Sequence, residues 1–180
     1  IASFAREVAQ ASKDMEAGEE PPLMTIRARD GRSVPLAVGI CFEAGYPLVI
    51  GEGVSRGGQA IVVPSNNYHF RSSGESAQQG QLLRMRAMEY SRSAVQASTT
   101  GHSYVIRPDG SILASTGTEE AATLVADIPL RSSQTLTASA GERIPDAVMA
   151  ATLVIAILTT VTVIGQGIRE SARARRASGH

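Results

Sequence analysis

Lysine is almost missing from this chain: Lys13 is the only one, and arginine supplies the rest of the positive charge. That bias reads as the signature of a GC-rich genome more than of a function. Cysteine is as scarce. Cys41 stands alone among 180 residues, which excludes an internal disulfide framework and a cysteine-rich zinc site. Net charge is absent too, 17 basic residues against 17 acidic ones, so no broad nucleic-acid footprint exists. Internal repeats are lacking. The glycines at Gly51-Glu-Gly53 and Gly57-Gly58 do not match a phosphate loop. No signal peptide is visible, and the chain opens on Ile1 inside what reads as a helix over 2–11. The expectation is that an N-terminal part lies upstream.

What is present centres on Pro35 to Pro47. Leu36 to Ile40 is a short apolar run that reads as a buried strand, and Gly45 and Pro47 break the pattern after it. Cys41 falls at the strand's end, with Glu43 two residues on. A sulfur held at the tip of a rigid strand, beside a turn whose N–H groups face outward, suits a nucleophile. A single cysteine is also often a small core hydrophobe, and the residues alone leave both readings open.

Around this stretch the pattern alternates strands and helices. An acidic loop, 12–22, precedes a strand at Leu23 to Ile26. Asp30-Gly31 then marks a hairpin turn into the Cys41 strand. A short helix is expected over 47–55 and a strand over 59–64. Ser65-Asn-Asn67 would end that strand beside Cys41 if the two run parallel. A helix over 76–91 shows Leu82, Met85 and Met88 at helical spacing, with Leu83 and Ala87 beside them. Glu89 on that helix needs a partner if buried, and Arg86 or Arg92 is within reach. Strands over 94–98, 103–106 and 111–115 follow, the last two joined by the Arg107-Pro-Asp-Gly110 turn. A final strand is expected over 122–128, then a Ser/Thr-rich linker to Arg143.

Ala147 to Ile164 carries no charge over eighteen residues, about 27 Å of helix at ~1.5 Å per residue. That is near the thickness of a bilayer core. Arg169, Arg173, Arg175 and Arg176 follow, and the positive-inside rule puts the C-terminus in the cytoplasm. The Cys41 domain would then face the outside of the cytoplasmic membrane. The domain expectation is 1–140 for the α/β part, 141–168 for the span with its flanks, and 169–180 for a basic tail.

Gly39-Ile-Cys-Phe-Glu43 resembles the nucleophile motif of the nitrilase, or carbon–nitrogen hydrolase, superfamily. Val62 to Asn67, Arg84-Met-Arg-Ala-Met-Glu89, Thr99 to Ser103 and Arg107 to Gly110 are similar in the same order. Within the superfamily the chain is most similar to the apolipoprotein N-acyltransferases, whose extracytoplasmic domain is followed by one last membrane helix. The resemblance implies part of an α-β-β-α sandwich and a Glu–Lys–Cys triad with Cys41 as nucleophile. Glu43 matches the acid after it, and Phe42 the aromatic whose backbone N–H serves the oxyanion. Asn66, Asn67 and His69 fall along the substrate loop, His69 where many members carry tryptophan, and Glu89 is read as structural. No cofactor or metal is implied. The implied partners are a phospholipid acyl donor, a lipoprotein N-terminus and the bilayer. The family's Glu and Lys lie upstream of this motif, and Lys13 is out of context, so the 180 residues are expected to be inactive alone. Two other readings stay open: a membrane-tethered amidase, in which water resolves the thioester, and a non-catalytic anchored domain. Among histidines, His69 is preferred over His102 and His180 for a dyad.

Overall fold

A computed structural model of the chain describes residues 18–70, 73–141 and 143–177. The expected helix over 2–11, Lys13 and His180 lie outside the described residues. The chain divides into two compact units at Ser132/Ser133.

The first unit is a six-stranded mixed sheet whose spatial order follows the sequence. Strands β1 (Leu23–Arg27) and β2 (Ser33–Val38) form the expected hairpin. Asp30 makes its turn by accepting the Arg32 N–H at 3.0 Å, and Gly31 supplies the positive φ of 84° that an L side chain resists. Helix α1 (Pro47–Ser55) then carries the chain to β3 (Ala60–Ser65), and α2 (Glu75–Tyr90) carries it to β4 (Ser93–Ser98). Because each connection contains a helix, β2, β3 and β4 run parallel, with Leu36 beside Ala60 and Ala60 beside Ser93. β5 (Tyr104–Ile106) and β6 (Ile112–Ser115) add antiparallel at the far edge.

The helices cover one sheet face. Ala37, Ile61, Ala94 and Ile106 form a cross-strand row there, all fully buried. Each large apolar side chain so buried stabilises by roughly 1.5–3 kcal/mol. α1 lies close because Gly53 meets Ala37, where a Cβ would stand 2.8 Å from the Ala37 Cβ. On the opposite face Val34, Leu36 and Ala60 cluster with Ala28, Val62 and Ile128.

One expectation is corrected. Residues 122–128 form no strand. The segment ends over a sheet face instead of joining an edge: Ile128 packs against the cluster of Val34, Leu36 and Ala60, the Pro129 carbonyl accepts from Ser93 Oγ, and Arg131 N–H donates to the Gln59 carbonyl. Its burial thus comes without ladder bonds. On α2, Met85 and Met88 are half exposed while Leu83 and Ala87 are fully buried. The buried face is Ser76, Gln79, Gly80, Leu83, Arg86, Ala87 and Tyr90. Close approach decides this: Gly80 abuts the Tyr104 ring, leaving no room for a side chain.

The second unit holds α3 (Leu136–Ala140), a short helix where a linker was expected, and α4 (Arg143–Ala177). Thr135 Oγ1 caps α3 by accepting the Ala138 N–H at 3.1 Å. In α4, Pro145–Gln166 is a 22-residue stretch of mean hydropathy 2.5, none of it buried. At ~1.5 Å per residue it is about 33 Å long, enough to cross a membrane. Its threonines do not present free hydroxyls. Thr152 donates to the Val148 carbonyl, Thr160 to Ala156 and Thr162 to Thr159. A hydroxyl returned to the helix backbone is tolerable in hydrocarbon.

Candidate active site

The three parallel strands end on the same side of the sheet, and the candidate residues gather there. β2 stops at Val38, two residues short of the expected strand end, and Gly39 N–H still donates to the Val62 carbonyl at 3.1 Å. Cys41 opens a 3-10 turn, Cys41–Gly45, with φ of 52°. Left-handed backbone at a non-glycine residue costs about 1–3 kcal/mol and persists only where surroundings enforce it. Glu43 is one enforcer: its Oε2 accepts the Ile40 N–H at 2.7 Å, so the carboxylate bridges the residues on both sides of the sulfur. Ile40, Phe42, Tyr46 and Leu48, all within seven residues of Cys41, are each more than half exposed.

The two asparagines after β3 have different tasks. Asn66 is exposed, and its Oδ1 accepts from Tyr68 N–H and Thr99 Oγ1, tying the end of β3 to the end of β4. Asn67 is buried, and its Nδ2 donates to Gln79 Oε1 at 2.9 Å. Gln79 Nε2 in turn donates to Ser65 Oγ at 3.2 Å and reaches Cys41 Sγ at 3.7 Å. Asn67 therefore meets the sulfur through Gln79. His69 is exposed and stands edge-on to Tyr68, ring centroids 5.6 Å apart. The His102 Nδ1 lies 2.9 Å from the Thr116 carbonyl.

Glu89 pairs with Arg86, Nη1 to Oε2 at 2.8 Å. Arg92 is fully buried and donates to the carbonyls of Gly58 and Tyr90. Burial pushes the neighbouring Tyr90 hydroxyl up from its ordinary pKa; the Glu89 charge adds to this and Arg86 opposes it. Among the described residues no group of three or more His, Cys, Asp or Glu could hold a metal ion.

Sequence reasoning missed Gln79, and it named Ser65 only as part of the strand end beside Cys41. The available signal was a glutamine one turn before Leu83, a polar residue on the face that α2 buries.

Sheet, helices and turn define an α/β domain that offers a partly exposed thiol at the carboxyl edge of parallel strands. Residues 6–138 match the carbon-nitrogen hydrolase family, and the chain belongs to it. An apolipoprotein N-acyltransferase of Mycolicibacterium smegmatis is 43% identical over 77 residues, covering 43% of this chain and 13% of that protein. One of Rhodopseudomonas palustris is 36% identical over 124 residues, 69% of this chain and 23% of that protein. The chain thus spans about a quarter or less of the length of these relatives. Among solved structures, an amidase from Nesterenkonia sp. AN1 is similar at 25% identity and TM-score 0.46, over 58% of this chain and 41% of that one. A Saccharomyces cerevisiae member of branch 10 of the nitrilase superfamily is similar at 26% identity and TM-score 0.48, over 59% of this chain and 40% of that one.

Proposed function

We propose that the chain is the nucleophile-bearing part of an N-acyltransferase that moves a fatty acyl chain from a phospholipid to a lipoprotein's N-terminal diacylglyceryl-cysteine. The observation that carries this is Cys41, held in left-handed backbone at the carboxyl edge of the parallel strands inside the family match. The relatives' name and the apolar helix Pro145–Gln166 support the lipid side of the reading, as do the exposed Ile40, Phe42, Tyr46 and Leu48.

In the first step the Cys41 thiolate attacks the ester carbonyl of the phospholipid. An S–C bond forms, the C–O ester bond breaks, and the lysophospholipid alkoxide leaves with a proton. In the second step the lipoprotein's amine attacks the thioester: the C–N bond of an amide forms, the C–S bond breaks, and the proton lost by the amine returns to the sulfur, regenerating the thiol. The Phe42 backbone N–H would face the developing oxyanion, Glu43 would hold the turn around the sulfur, and Asn66, Asn67 and His69 would border the substrate loop. Glu89 would act structurally through Arg86. The Cys41 domain would lie on the extracytoplasmic side of the cytoplasmic membrane and the basic tail 169–180 in the cytoplasm.

The test uses the full-length polypeptide that carries this chain, in detergent with a labelled phospholipid. Acylation of Cys41 that hydroxylamine removes, discharge of the label onto a diacylglyceryl-cysteine peptide, and loss of both in Cys41→Ala are expected. Discharge to water alone would favour an amidase-type hydrolase. No acylation of Cys41 would leave an anchored, non-catalytic domain.

A further inference from the structure

Gln79 is 1% exposed and sits on the α2 face that packs toward the strand ends. Its amide is used on both sides. Oε1 accepts from Asn67 Nδ2 at 2.9 Å, while Nε2 faces Ser65 Oγ at 3.2 Å and Cys41 Sγ at 3.7 Å. A primary amide has two N–H donors, and here each has one acceptor. Asn67 also sets the amide's direction, because its donor against Oε1 leaves the NH2 end toward the sulfur. The link is long in sequence, 38 residues from Cys41 to Gln79, and so depends on how α2 seats against the sheet.

We infer that Gln79 is a positioning residue for the nucleophile: its side-chain N–H donates to the Cys41 sulfur, fixes that sulfur's direction and supports it when it carries negative charge. Ser65 and Asn67 hold the amide in the donating orientation. Glutamine is suited to this place because it brings a donor without bringing a charge of its own. This rests on the reading of Cys41 as nucleophile, but its test needs no acyl donor. Alkylation by iodoacetamide forms an S–C bond, expels iodide and reports on the sulfur alone.

The experiment measures Cys41 alkylation rates at neutral pH in the full-length polypeptide, together with thermal midpoints. Gln79→Met keeps the length and removes the donor, and Gln79→Glu keeps the shape and turns a carboxylate oxygen to the sulfur. Hydrogen bonds to charged groups are the strong class, so both are expected to slow alkylation by roughly tenfold. Gln79→His, which restores an N–H, is expected to return the rate to within about threefold of the parent. Asn67→Asp leaves Gln79 in place but removes the donor that orients it, and is expected to slow alkylation as well. Parental rates in the folded Met and Glu variants would overturn the inference, and so would equal slowing in the Met and His variants, which is what simple packing predicts. If the Gln79 variants do not fold, Asn67→Asp decides, and a parental rate there refutes the assignment. Failure of the acyltransferase reading looks different: alkylation remains sensitive to Gln79, and no acyl label reaches Cys41.

Discussion

The Glu43 carboxylate accepts the Ile40 backbone N–H at 2.7 Å, closing a ring of chain in which Cys41 is held. That bond stands next to left-handed backbone, the φ of 52° at Cys41. Glu43→Ala is expected to lower stability by about 1.5 kcal/mol, the low end for a charged acceptor because the turn is partly exposed. Glu43→Gln keeps a neutral acceptor and is expected to lose less than half of that. Urea denaturation of the two variants measures both; equal stability of all three proteins would mean the turn does not need the carboxylate.

Arg86 and Glu89 form an ion pair with side chains 9% and 23% exposed. Removing one charge of a largely buried pair takes away its compensation, so Arg86→Leu is expected to cost about 3 kcal/mol. The double change Arg86→Leu, Glu89→Leu should recover most of it, since neither charge then remains. Glu89→Gln should also let Tyr90 ionise at lower pH, because the Glu89 charge is one of the causes raising that hydroxyl. Tyrosinate absorbance during a pH titration reads the direction; an unmoved Tyr90 would count against the coupling.

Gly80 abuts the Tyr104 ring, and a Cβ there would overlap it. Gly80→Ala gains helix propensity of up to ~1 kcal/mol, against an overpacking cost of about 1–3 kcal/mol. The expected net effect is destabilisation, with Tyr104→Leu restoring the loss. A more stable Gly80→Ala protein would show that α2 can move away from the sheet at no cost.

In α4, Ile157 is exposed within the 22-residue apolar stretch. Arginine at the centre of a span costs about 2.5–3.5 kcal/mol of insertion free energy. Ile157→Arg is therefore expected to increase the fraction extracted from membranes by alkaline carbonate. Thr160→Ala should leave extraction unchanged, because that hydroxyl is already spent on the Ala156 carbonyl. Equal extraction of Ile157→Arg and the parent would argue that α4 does not lie in lipid.

Local chemistry made several elements readable in advance. Asp30-Gly31 and Arg107-Pro-Asp-Gly110 are turns whose side chains and glycine φ values act within four residues, so sequence alone located both hairpins. Apolar runs at β2 and β3 gave a parallel pair, and an uncharged run gave the long helix. The place of Cys41 and Glu43 in a turn just past a strand end was legible from the apolar run and the break after it. The face of α2 was legible only in part, because Leu82, Met85 and Met88 have the right period but Gly80 and Tyr104 choose which side approaches the sheet.

The sequence by itself determined where the chain turns, where the thiol stands in the order of elements, and which segment is apolar enough for a membrane. Each of those depends on residues a few positions apart. Only the tertiary structure decided that Gln79 lies against Cys41, that Asn67 turns inward while Asn66 turns outward, and that residues near Ile128 cover a sheet face. Those contacts join residues distant in sequence, and close packing of the sheet with its helices is what brings them together.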